Sequence, residues 1–159
     1  MAIETQTRSA SLSGLLNKQV ANMGVLYIKL HHYHWYVKGS GFFTLHQKFE
    51  ELYDEVAKFY DDLAERMLAL GGRPVSNMEE TLKLSSLTEA KGGETAEMMV
   101  KQLADDFTKV ADELRQGIAQ AEKEGDHPTA DLLISIRDAL EKHCWMLSAY
   151  LGNNQSEQP

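Results

Sequence analysis

At 159 residues, 43% of them hydrophobic and 25% charged, the chain has the length and composition of one soluble domain with a sizeable core. A formal net charge of −8 argues against a general nucleic-acid surface and suits a container for cations. Cys144 stands alone, which excludes an intrachain disulfide; MAIETQTRSASLSG holds no signal-peptide core and no apolar run reaches membrane-spanning length, so a cytoplasmic protein is expected.

Residues 1–10 are polar and read as a flexible tail, as do 153–159; a single domain is expected over 11–152. The first helix is predicted from Leu12 to Lys38, with Leu12, Leu16, Val20, Met23, Tyr27 and Leu30 facing in and His34 and Val37 continuing the stripe. Gly39-Ser40-Gly41 then turns the chain back. Thr44 and Gln47 form a capping box ahead of a second helix, Leu45 to Leu70, whose buried stripe is Leu45, Phe49, Leu52, Val56, Phe59, Leu63 and Leu70. Gly71-Gly72-Arg73-Pro74 stops it. In the link that follows, Ser76 with Glu79 and Asn77 with Glu80 make two overlapping capping boxes, which predict a short helix around Leu82.

After the Lys91-Gly92-Gly93 loop, a third long helix runs from about Thr95 to Glu124, with Met99, Leu103, Phe107, Val110, Leu114, Ile118 and Ala121 in phase. Gly125 ends it. Pro128 sits in the first turn of a fourth helix, where its missing N–H costs least. That helix turns Leu133, Ile136, Leu140, Cys144, Leu147 and Leu151 inward, Cys144 as a small core residue. Four long helices with one long crossover predict an all-α four-helix bundle with a short extra helix in the crossover.

Side chains able to bind a metal fall into two pairs on the second helix. His46 and Glu50 stand four apart near its start, and Asp61 and Glu65 four apart further on, so each pair shares a face. Both faces point away from the helix's own apolar stripe. The fifteen residues from His46 to Asp61 correspond to a rise of about 22 Å, too far for one ion. Either the pairs are unrelated, or another chain brings them together. A second chain packed antiparallel across a twofold axis would do so, and would create two equivalent sites. His34 lies five residues before Gly39 and His46 five after Gly41, so a turn there sets the two imidazoles at similar height. The same pattern also fits a hydrogen-bonded core histidine and a solvated acidic face.

The stretch HWYVKGSGFFTLHQKFEELYDEVAKFYDDLAERMLALGGRP resembles the signature region of the Dps family, the mini-ferritins, and KEGDHPTADLL and KHCWMLSAYLG resemble that family's last helix and its flanks. The likeness runs from about Leu15 to Gly152 and implies a ferritin-like bundle assembled into a hollow shell of twelve subunits. The Glu-x-x-His motif repeated on two helices, the signature of ordinary ferritin sites, is absent. By resemblance, Fe²⁺ is oxidised between twofold-related subunits, with hydrogen peroxide as oxidant, and ferric iron is stored, which protects against oxidative stress. The implied ligands are His34, His46 and Glu50 of one chain with Asp61 and Glu65 of its partner; Glu50 replaces the Asp commonly found there. Zinc is a possible substitute for iron.

The resemblance also gives the acids around the third turn between long helices, Glu122, Asp126 and Asp131, the role of lining a threefold pore that draws Fe²⁺ inward. Read without it, they are a solvated turn with Asp126 as a cap. Trp35 and Tyr53 are placed near the site as radical traps by the resemblance, or at a subunit interface by default. His31 and His32 point away from the stripe and are expected at an interface or surface; His143 is expected to be structural. Lys-rich tails give many members of the family DNA binding, but the first seventeen residues here hold only Arg8 as a cation. DNA binding is therefore expected to be weak or absent, and a nucleoid-binding stress protein is the alternative reading.

Overall fold

The computed structural model describes residues 11–152, so the tails expected over 1–10 and 153–159 lie outside the described residues. Ser11 opens the first helix: its hydroxyl accepts the Gly14 N–H at 3.1 Å and caps α1, Leu12–Tyr36. Four more helices follow: α2, Phe42–Ala69; α3, Met78–Leu84; α4, Ala96–Lys123; and α5, His127–Tyr150. The described residues contain no strand. None of the helices is long and apolar enough to cross a membrane.

α1 and α2 form one hairpin and α4 and α5 another. α1 joins the two by packing on α4, α3 lies in the crossover and packs on α1, and α2 meets α5 through side chains such as Glu55 with His143 and Arg66 with Thr129. This is the expected all-α four-helix bundle. The stripes of α2 and α4 are buried as their periodicity predicts, from Leu45 to Leu63 and from Met99 to Ala121. Each fully buried Leu or Phe contributes about 1.5–3 kcal/mol through its removal from water.

The structure corrects the sequence reading at several places. α2 begins at Phe42, so Thr44 lies inside the helix and forms no capping box; its N-cap is Gly41, without a side-chain bond. The turn makes its own start. Gly39 takes φ +104°, a left-handed conformation that glycine adopts without strain, and its carbonyl accepts the Phe42 N–H at 3.1 Å. At Gly41 a Cβ would fall 2.2 Å from the Tyr150 hydroxyl that closes over the turn, so a side chain there would push the exposed Tyr150 ring aside. In the crossover, Asn77 rather than Ser76 caps α3, its Oδ1 accepting the Glu80 N–H at 2.9 Å.

Leu70 is 47% exposed because it sits at the C-cap, past the last packed turn, where Met67 closes the core. Tyr27 is 39% exposed and packs its ring against His31 and Tyr53 at the surface. Cys144 and Leu151 are only partly buried. α1 in turn buries more than one stripe. Val25, Leu26 and Tyr33 are also covered, because α2, α3 and α4 all pack on it.

A polar seam, not foreseen from periodicity, ties α1 and α4 to the crossover. Lys29 is buried and bonds Asp106 at 2.7 Å and the Thr88 carbonyl at 2.9 Å. Two to three turns of α1 earlier, the amides of Gln19 and Asn22 both donate to Glu113, and Asn22 Oδ1 accepts the Ser86 N–H. Every buried charge here has a partner, as burial demands.

Candidate metal centre

The Gly39 turn folds the end of α1 onto the start of α2, and this sets His34 against His46. Their rings stack with centroids 3.7 Å apart at an interplanar angle of 13°. Each ring is fixed by the other residue's backbone. His34 Nδ1 bonds the His46 carbonyl at 2.6 Å, and His46 Nδ1 bonds the His34 carbonyl at 2.7 Å. A carbonyl can only accept, so both Nδ1 atoms carry a hydrogen, and in the neutral imidazole that puts the lone pair on Nε2. That is the tautomer a divalent cation requires, and the backbone plays the part that a neighbouring carboxylate often plays behind a ligating histidine. His34 is 8% exposed and His46 partly buried, with Phe42 stacked over His46 at 5.0 Å.

Glu50 follows one turn after His46 and is exposed. Its Oε1 lies 3.5 Å from the Tyr53 hydroxyl. Burial first, then the carboxylates of Glu50 and Asp54, hold that hydroxyl above its ordinary pKa, so it remains a proton donor. Asp61 and Glu65 are exposed further along α2, about 22 Å from His46 by helical rise. The fold thus brings His34, His46 and Glu50 to one end of α2 and leaves Asp61 and Glu65 apart from them. Among the described residues no group of three or more His, Cys, Asp or Glu side chains is arranged to hold a metal ion.

Trp35 is 67% exposed and meets His31 at 5.5 Å rather than His34. His31 lies stacked on Tyr53, and His32 turns toward Glu94 across 3.9 Å. His143 bonds Glu55, a polar tie between α5 and α2. At the turn between α4 and α5, Glu122 and Asp131 are exposed. Asp126 differs. Its carboxylate accepts the Thr129 N–H at 3.1 Å as the cap of α5 and pairs with Arg66 at 2.9 Å. Burial works to raise its pKa, but Thr129 and Arg66 outweigh burial and hold it below the ordinary carboxylate range. Its charge is therefore already matched within the chain. The reciprocal histidine bonds and the Tyr53–Glu50 contact were missed from sequence, although the resemblance had placed Tyr53 near the site; the three-residue step from Glu50 to Tyr53 was the one available signal for the contact.

The relationships of the chain agree with this geometry. The family model described as a Ferritin-like domain matches residues 14–156. General stress protein 20U of Bacillus subtilis (strain 168) is 57% identical over 144 residues, 91% of this chain and 99% of that protein. DNA protection during starvation protein 2 of Bacillus anthracis is 54% identical over 138 residues, 87% of this chain and 94% of that one. A structure of Dps from Listeria innocua soaked with cobalt superimposes with a TM-score of 0.88 at 41% identity, covering 91% of this chain and 94% of its own. With its four long helices, its crossover helix and this degree of identity across nearly its whole length, the chain belongs to the Dps family of ferritin-like mini-ferritins.

Proposed function

We propose that the protein oxidises Fe²⁺ at centres shared between two subunits and stores the ferric product in a hollow shell of twelve copies, in the cytoplasm. The observation that carries this reading is the split site. Two imidazoles with free Nε2 atoms and a carboxylate lie at one end of α2, and a pair of carboxylates lies at a distance that only a partner chain can bridge. In an antiparallel pair, His34, His46 and Glu50 of one subunit meet Asp61 and Glu65 of the other, twice per dimer.

The donor set suits the task. Neutral imidazoles bind Fe²⁺, and carboxylates favour Fe³⁺, so the set holds the substrate and drives its oxidation. Each Fe²⁺ gives up one electron and hydrogen peroxide accepts two, so a pair of iron ions consumes one peroxide without releasing a hydroxyl radical. Glu122 and Asp131, exposed at one turn, are the acids that would draw Fe²⁺ toward a threefold opening. Structures of Dps from Listeria innocua have been soaked with cobalt and with zinc, and zinc is the substitute occupant expected here.

The test is complementation. His34→Ala and Asp61→Ala should each abolish fast Fe²⁺ oxidation by peroxide. Shells assembled from equal amounts of the two variants should recover roughly a quarter of the wild-type rate, because half the interfaces pair unlike chains and each of those holds one intact site. Fully assembled mixed shells with no recovery would sink the shared-site reading.

A further inference from the structure

Tyr53 occupies a place that the ligand set does not explain. It follows Glu50 by three residues on α2, so the two share a face, and its hydroxyl donates to Glu50 Oε1 at 3.5 Å. Its ring meets the ring of His34 edge-on, with centroids 5.3 Å apart at 89°. His31 covers the Tyr53 ring, stacked at 3.8 Å and 17°. His31 is itself held, because its Nδ1 donates to the Tyr27 carbonyl at 2.7 Å. Tyr27 meets His31 and Tyr53 edge-on at 4.5 and 6.1 Å. One phenol is thus fixed by three neighbours and touches both an imidazole and a carboxylate of the candidate centre.

The physical need for such a wedge lies in Glu50. Its side chain is exposed and has several rotatable bonds, so capturing a cation from a free ensemble of rotamers costs entropy. A hydrogen bond at Oε1 reduces that cost and leaves Oε2 for the metal. We infer that Tyr53, wedged in place by His31, is a positioning residue of the metal centre: it holds Glu50 Oε1 and abuts the His34 ring, so that carboxylate and imidazoles wait for one cation. This rests on the metal-centre reading above. Tyr53 would act through Glu50 and His34 without binding the metal.

Co²⁺ is a suitable probe, added alone to the assembled protein and followed through its visible d–d absorption. Tyr53→Phe keeps the ring and its stacking. It should weaken Co²⁺ binding about two- to ten-fold, the worth of one hydrogen bond, and change the d–d spectrum, with shell size unaltered. His31→Ala should give part of the same loss. In a Glu50→Asp background the carboxylate is one methylene too short to reach the phenol, so Tyr53→Phe should there have no further effect. Wild-type affinity and spectrum in Tyr53→Phe would overturn the inference. So would an equal loss in both backgrounds, which would mark Tyr53 as general packing. A Co²⁺ spectrum identical in wild type and His34→Ala would instead overturn the metal-centre reading itself, and the positioning role with it.

Discussion

At the turn between α4 and α5 Glu122 and Asp131 stay exposed while Asp126 is paired, and Asp126 shows what environment does to a carboxylate. It caps α5 through Thr129 and pairs with Arg66, which reaches across from α2 and also bonds the Thr129 hydroxyl at 2.8 Å. Because its folded pKa lies below its unfolded one, the stability it contributes is fully present above the ordinary carboxylate value and is lost as pH falls through the lower folded value. Asp126→Asn retains a good capping side chain but loses the charge. The variant should melt about 1–2 °C below wild type at neutral pH. That gap should close as pH falls below the ordinary carboxylate value of about 3.9. Thermal melts across that range check it, and a gap that persists in acid would assign the effect to the cap instead. The resemblance grouped Asp126 with Glu122 and Asp131 at a pore, whereas the residues alone read it as a cap, which the Thr129 bond bears out; spacing could not show that an arginine from another helix pairs with it. His34 was legible as an inward residue because it lies on the α1 stripe. Its Nδ1 bond was not, because the acceptor is a carbonyl, which every residue carries.

At the scale of the helices, what periodicity could show depended on how many neighbours each helix has. α4 buries one clean stripe, and its boundaries and core agree with the pattern within a residue or two. α1 has neighbours on three sides, so its buried set spreads beyond any single stripe and includes a charge, Lys29. Lys in a helical pattern reads as surface, and only the partner Asp106 on α4 makes its burial tolerable. Burial is the largest influence on Asp106 and raises its pKa in spite of Lys29. Lys29→Ala would strand that carboxylate in the seam and should cost about 3–5 kcal/mol in urea unfolding. Replacing both partners by apolar residues of similar volume, as in Lys29→Met with Asp106→Leu, should cost much less. A double variant as unstable as the single one would show that the crossover depends on the Lys29 bond to Thr88 more than on the ion pair. The start of α2 was misjudged for a local reason: a glycine turn supplied the first helical bonds before the Thr44 box could.

For the whole molecule, oxidation and entry are separate problems, and the proposed shell solves them with different acids. In this proposal the centre would use Glu50, Asp61 and Glu65 on α2, and entry would fall to Glu122 and Asp131, exposed at the opposite end of the α4–α5 hairpin from Tyr150. In a threefold arrangement each such acid appears three times around one opening, and the fields of like charges add there. Asp126, already paired with Arg66, adds little. Glu122→Gln with Asp131→Asn preserves size and hydrogen bonding and removes two charges per chain. Fe²⁺ uptake should then slow several-fold at low iron and low ionic strength, while shell size and the oxidation rate at saturating iron stay unchanged. Added salt should slow the wild type toward the variant, because the Debye length contracts from about 30 Å at 0.01 M to about 8 Å at 0.15 M and screens the same attraction. Stopped-flow uptake at two salt concentrations checks both halves. Equal rates for variant and wild type at low iron and low salt would return these acids to a solvated turn and put iron entry elsewhere on the shell.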